Sequence, residues 1–161
     1  MATKQGSLDL LNDPIAQELL KSNIPARLSY IWLDGSPRVV PIWFHWDGKQ
    51  LVLGSAPAAP KLKALQKNPK VALTIDGNTP PYHVLLIRGS ATIEMIEGGV
   101  PEYALAAVHY FGEEQGNAWI GMAGKLFTHF AKIAITPEWV GVMDFQQRFP
   151  NAIEDAMAGA G

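Results

Sequence analysis

The chain has 161 residues, 48% of them hydrophobic and 17% charged, enough for one domain with its own core. It contains no cysteine, which excludes disulfides, thiolate catalysis and cysteine-based zinc sites. Against 15 acidic residues stand 13 Lys and Arg, yet five lysines and no acid fall between Gly48 and Ile75, so the remainder carries 8 basic residues against 15 acidic. A local positive field on a mildly acidic chain suits a small anion better than a nucleic acid.

The start, Met1 to Asp9, lacks the apolar run of a secretory signal, and no apolar stretch reaches membrane-spanning length. A single cytoplasmic domain over 1–161, with no membrane association, is therefore expected. Residues 1–12 and 150–161 are expected to be peripheral or poorly ordered, with Ala156–Gly161 a frayed tail.

Asp13-Pro14 has the form of a helix N-cap followed by proline at the first helical position, predicting a helix to about Lys21 with Ile15, Leu19 and Leu20 inward. Pro25 ends that segment. Three β-prone runs follow: Ala26–Leu33, Arg38–Trp46 and Gln50–Ser55. Asp34-Gly35 and Asp47-Gly48 separate them, which predicts an antiparallel meander. A short helix is expected over Lys61–Lys67, stopped by Asn68-Pro69, then a strand over Lys70–Asp76. His83–Glu97 reads as a long strand bent near Gly89. Helices are expected over Glu102–Phe111 and Gln115–Lys125. Leu126–Ile135 and Trp139–Phe145 read as a closing strand pair, split by Thr136-Pro137. The whole is mainly β with inserted helices (α+β), an antiparallel barrel rather than a parallel βαβ fold.

The lysine helix is the first candidate site. Lys61 and Lys63 lie in its first turn, where the helix dipole already favours negative charge, and Lys63 and Lys67 form a like-charge pair four residues apart. A bound phosphate turns both penalties into attractions. A solvated surface helix with Leu62 and Leu65 buried fits the spacing equally well. Pro41 lies inside a strongly β-prone run, Arg38 to Phe44. Since it cannot donate to a ladder, it belongs on an edge or at a bulge. Either the freed backbone meets a ligand flanked by Trp43 and Trp46, or the run is simply an edge strand packing its aromatics inward. Ser55 ends the third strand, where its hydroxyl suits a phosphate or an ordinary turn. The four histidines are dispersed without metal-binding spacing, and no nucleophile or nucleotide motif occurs, so no catalytic side chain and no metal site are assigned.

Taken in order, Arg-Val-Val-Pro-Ile-Trp-Phe, Trp-Asp-Gly, a strand ending in Gly-Ser, the Pro60–Leu73 lysine segment, Arg88-Gly89-Ser90-Ala91 and Pro-Glu-Trp-Val-Gly-Val-Met-Asp-Phe resemble the pyridoxamine 5′-phosphate oxidase-like superfamily across Ile24–Phe145. The resemblance implies an FMN-binding split β-barrel working as a homodimer, with the cofactor at the interface and flavin-mediated electron or hydride transfer to a small molecule. It gives Arg38, Ser55, Lys61 and Lys63 the phosphate, the backbone of Val40, Pro41, Ile42 and Trp43 the ring edge, and Val39 a place in the cofactor site. Trp119, Trp139 and His83 are candidates for partner-chain contacts. A deazaflavin coenzyme in place of FMN, and a non-enzymatic flavin-binding module, are the alternatives. The oxidase's substrate-phosphate lysine is replaced by Trp43, and its C-terminal Arg-Leu-His-Asp-Arg run by Asp144-Phe145-Gln146-Gln147-Arg148, so vitamin B6 oxidation is not expected.

Overall fold

The computed structural model describes residues 3–160. Its centre is one seven-stranded antiparallel sheet. The strands are β1 Ala26–Ile31, β2 Pro37–Ile42, β3 His45–Trp46, β4 Leu51–Ser55, β5 Lys70–Asp76, β6 Val84–Glu97 and β7 His129–Met143. They lie in the order β2-β1-β5-β6-β7-β4-β3.

The meander expected from the first three runs is not what forms. β1 pairs with β2, and β3 pairs with β4, but these two hairpins occupy opposite edges of the sheet. The Arg38–Trp46 run is one strand interrupted at Trp43-Phe44, and its two halves serve the two edges. The curled sheet is thereby bridged by covalent chain where it lacks hydrogen bonds, which is a split barrel. Pro41 sits on the edge strand β2, where a missing N–H costs least. Phe44, at the break, is buried in the core.

The second correction concerns the C-terminal strands. Leu126–Ile135 and Trp139–Phe145 do not pair with each other. They merge into the single strand β7, which runs along the whole of β6. Both strands bend together at a register shift beside Arg88-Gly89. A Cβ on Gly89 would collide with the Thr136 carbonyl, so the close crossing requires glycine. Glu138 falls in the shift, outside the ladder, and accepts from Lys70 Nζ (2.8 Å) and Ser90 Oγ (2.5 Å).

Four helices complete the core-proximal structure. α1 (Pro14–Lys21) begins as expected, with Asp13 Oδ1 accepting from the Ile15 N–H at 3.0 Å. Arg148 reaches back to Asp13 Oδ2 at 3.1 Å, tying the chain's end to that cap. α2 (Pro60–Lys67) buries Leu62, Ala64 and Leu65. α3 (Pro101–Phe111) and α4 (Glu113–Leu126) form a hairpin between β6 and β7, turning at Gly112, whose φ of 85° favours glycine. The residues before α1 are less peripheral than expected: Leu10 is 1% exposed, and the Gln5 side chain bonds the Val142 N–H and C=O. The last helix, α5 (Asn151–Gly159), has no buried residue, and it takes in most of the stretch expected as a frayed tail, Ala156–Gly161, whose last residue lies outside the described residues.

Candidate functional site

A cleft of about 470 Å³ opens where the break after β2, the end of β4, the start of α2 and the α3–α4 hairpin meet. Pro41, Ile42, Trp43, Gly54, Lys61, Tyr103, Phe111 and Trp119 are among its walls. This volume lies within the ordinary range for small-molecule sites.

Lys61 is its cation. It stands in the first turn of α2, behind Ala59, which gives the helix no side-chain cap. Leu62, Ala64 and Leu65 hold the opposite face of the helix in the core, which turns Lys61 toward the cleft. Among the described residues no carboxylate pairs with it. Burial alone pushes its pKa below the ordinary 10.5. A half-buried ammonium without a counter-ion, at an uncapped helix start, is arranged for an anion from outside the chain.

The opposite walls are aromatic. Trp43 stacks on Tyr110 (centroids 5.6 Å apart, 10° between planes) and meets Phe111 (4.5 Å) and Trp119 (6.1 Å) edge to face. The interruption of the β2–β3 strand frees Trp43 from a ladder and lets it enter this cluster. Tyr103 lies against Gly54, where a Cβ would overlap its ring. Its hydroxyl accepts from Trp119 Nε1 at 2.9 Å. Tyr110 is structural: it donates to the Ile24 carbonyl at 3.2 Å, and burial pushes its pKa up to about 12.

The structure gathers Pro41, Ile42, Trp43 and Lys61 on this cleft and places the other candidates elsewhere. Arg38 is exposed on β2, its guanidinium 5.2 Å above the Trp32 ring. Val39 is 66% exposed, whereas Val40 packs on the core. Ser55 is buried at the end of β4, opposite Ala131. Lys63 is exposed on α2. Of the partner-contact candidates, Trp119 lines the cleft, Trp139 lies under Arg88 (4.0 Å), and His83 pairs with Glu18 (3.1 Å). Farther along the basic stretch, Lys67 donates to the Leu33 carbonyl and Lys70 to Glu138. The sequence reading missed Tyr103, Phe111 and Gly54 as site residues. Aromatics at 103, 110 and 111, spaced seven and eight apart on a helix, carried that signal.

Residues 13–144 match the family model described as pyridoxamine 5′-phosphate oxidase. The chain belongs to this family. No curated protein matches it. Among solved structures it resembles an F420 reductase (22% identity, 78% of this chain and 94% of that one, TM-score 0.61). It also resembles a conserved hypothetical protein from Mycobacterium tuberculosis (19%, 89% and 91%, TM-score 0.66). A third is the heme storage protein of Vibrio cholerae (18%, 82% and 93%, TM-score 0.59). At these identities the likeness concerns the fold. Within it, the uncompensated Lys61 beside aromatic side chains suits a small anionic ligand with an apolar body.

Proposed function

We propose that this member of the family is a homodimeric FMN-binding oxidoreductase acting on a small molecule. The observation that carries the reading is Lys61: a half-buried cation without a counter-ion at the head of α2, across a cleft from Trp43. Lys61 would neutralise the FMN phosphate. The outer edge of β2 at Pro41 and Ile42 offers backbone groups that no ladder uses, suited to the polar rim of a ring. When bound, FMN supplies the electron or hydride transfer, and the chain supplies position and a dry, shaped pocket.

FMN is favoured over a deazaflavin coenzyme because the longer basic groove needed by a polyanionic tail is already engaged at Lys67 and Lys70. A homodimer agrees with the apolar side chains left outward on α3 and α4, Leu105, Met122 and Leu126 among them. Parallel titrations with FMN and the deazaflavin coenzyme, followed by anaerobic addition of NAD(P)H, test this reading. Tighter FMN binding and bleaching of the flavin band are expected. Tighter deazaflavin binding would overturn the choice of cofactor, and bound FMN that NAD(P)H does not reduce and that shows no turnover with electron acceptors would make the protein a flavin-binding module.

A further inference from the structure

Resting on the FMN reading, we propose that the substrate of this cleft is an uncharged, flat, apolar molecule carrying one hydrogen-bond-accepting oxygen, and that Tyr103 orients it through that oxygen.

Among the described residues Lys61 is the only charged one on the cleft, and the cofactor phosphate claims it. Apart from the Tyr103 hydroxyl, the indole N–H groups of Trp43 and Trp119 and the backbone edge already assigned to the FMN ring, the rest of the lining is proline, aliphatic carbon and aromatic ring. A second carboxylate or phosphate entering here would lose its hydration and find no cation in exchange. A further cavity of about 190 Å³, between the Gly98-Gly99 turn, α3 and α4, shares Tyr103 with the cleft and also has no charged residue in its walls among the described residues. That exceeds the ~150 Å³ of an apolar cavity able to hold benzene. The two spaces meeting at one tyrosine suit a ring system with an apolar extension.

Tyr103 brings a hydroxyl to this lining, and its neighbours fix what it does. The base of the ring lies against Gly54 so closely that no side chain fits between them. The Trp119 indole N–H donates to the Tyr103 oxygen at 2.9 Å, so one lone pair is occupied. Within the protein the hydroxyl's own proton has no acceptor among the described residues, and at this exposed position it goes to water until a ligand displaces it. A phenol held by its ring and by one lone pair, with its proton directed to water, is a donor that a ligand's oxygen can claim. A carbonyl or hydroxyl oxygen on the substrate provides one. Tyr103 thus sets both the position of the substrate and its preference for an accepting oxygen.

Equilibrium dialysis with 2-acetylnaphthalene, 2-ethylnaphthalene and 2-naphthoate tests this on FMN-loaded wild-type protein and on unloaded Lys61→Met protein. In both, the ketone should bind about 3- to 10-fold tighter than the ethyl compound, the worth of one net hydrogen bond. It should also bind more than about 10-fold tighter than the carboxylate. Tyr103→Phe should erase the ketone's advantage over the ethyl compound while leaving the latter's affinity within about twofold, since only the donor is lost. The proposal is overturned if 2-naphthoate binds as well as the ketone, if the ketone preference survives Tyr103→Phe, or if none of the three probes binds. FMN failing to bind the wild type would sink the cofactor reading alone; the unloaded Lys61→Met protein would still decide the substrate class.

Discussion

Replacing Lys61 with methionine keeps its apolar stem and removes its charge, and the structure gives the two consequences opposite signs. With FMN, the change deletes one hydrogen bond between a charged donor and a phosphate in a half-buried cleft, worth about 1.5–3 kcal/mol. FMN affinity should therefore fall about 10- to 150-fold. Without FMN, the ammonium is partly desolvated and unpaired, so its removal should leave the unfolding midpoint unchanged or raise it. The pH dependence follows the same logic. Burial lowers the folded-state pKa of Lys61 below the ordinary 10.5, so between that lowered value and 10.5 the unfolded chain binds more protons. Wild-type apoprotein should gain stability as pH rises through that window while losing affinity for FMN, and Lys61→Met should do neither. Lys63→Met is the control: the residue is exposed, and its loss should cost affinity no more than about fivefold, as for a surface ion pair. FMN fluorescence titrations at fixed ionic strength, with denaturant melts of the apoproteins, read all of this. Equal losses in the two variants, or a destabilised Lys61→Met apoprotein, would refute the reasoning.

Gly54→Ala drives a methyl group into the Tyr103 ring and should cost about 1–3 kcal/mol in a urea melt, with weaker 2-acetylnaphthalene binding; wild-type stability would show that Tyr103 moves aside freely. Asp13→Ala removes the α1 cap and the Arg148 partner together, and should lower stability by about 2 kcal/mol. In a chain of this length that is a thermal shift of about 4–8 °C. Glu102 is held below its ordinary pKa of 4.5 chiefly by its hydrogen bond from Lys132. It contributes stability above 4.5 that disappears as pH falls through the depressed value, so Glu102→Gln should flatten that part of the acid-stability curve. Sedimentation of the purified protein should show a dimer at micromolar concentration, which a monomer would contradict.

Much of the local structure was legible because single residues dictate it. Asp13-Pro14 starts a helix whatever surrounds it, the two Asp-Gly pairs make their turns, and the bend expected at Gly89 is the place where β6 and β7 crowd each other. Strand partnership was not legible. The Arg38–Trp46 run carries one continuous β pattern, and only closure of the barrel decides that its halves serve opposite edges. Thr136-Pro137 reads as a break, yet the register shift beside Gly89 absorbs it and β7 continues. At the site, charge and backbone exceptions were readable: Lys61 by its position at a helix start, Pro41 by its missing N–H. The aromatic wall was not, because Tyr103 and Phe111 reach the cleft only through the packing of the α3–α4 hairpin across β4.

The central claim is that Lys61 and the broken strand at Pro41–Trp43 together hold FMN. A crystal structure of the FMN complex tests it most directly. It should place a phosphate oxygen about 2.7–2.9 Å from Lys61 Nζ, with the ring beside the Pro41–Trp43 edge. A phosphate held elsewhere, or a ring seated away from that edge, would contradict the account.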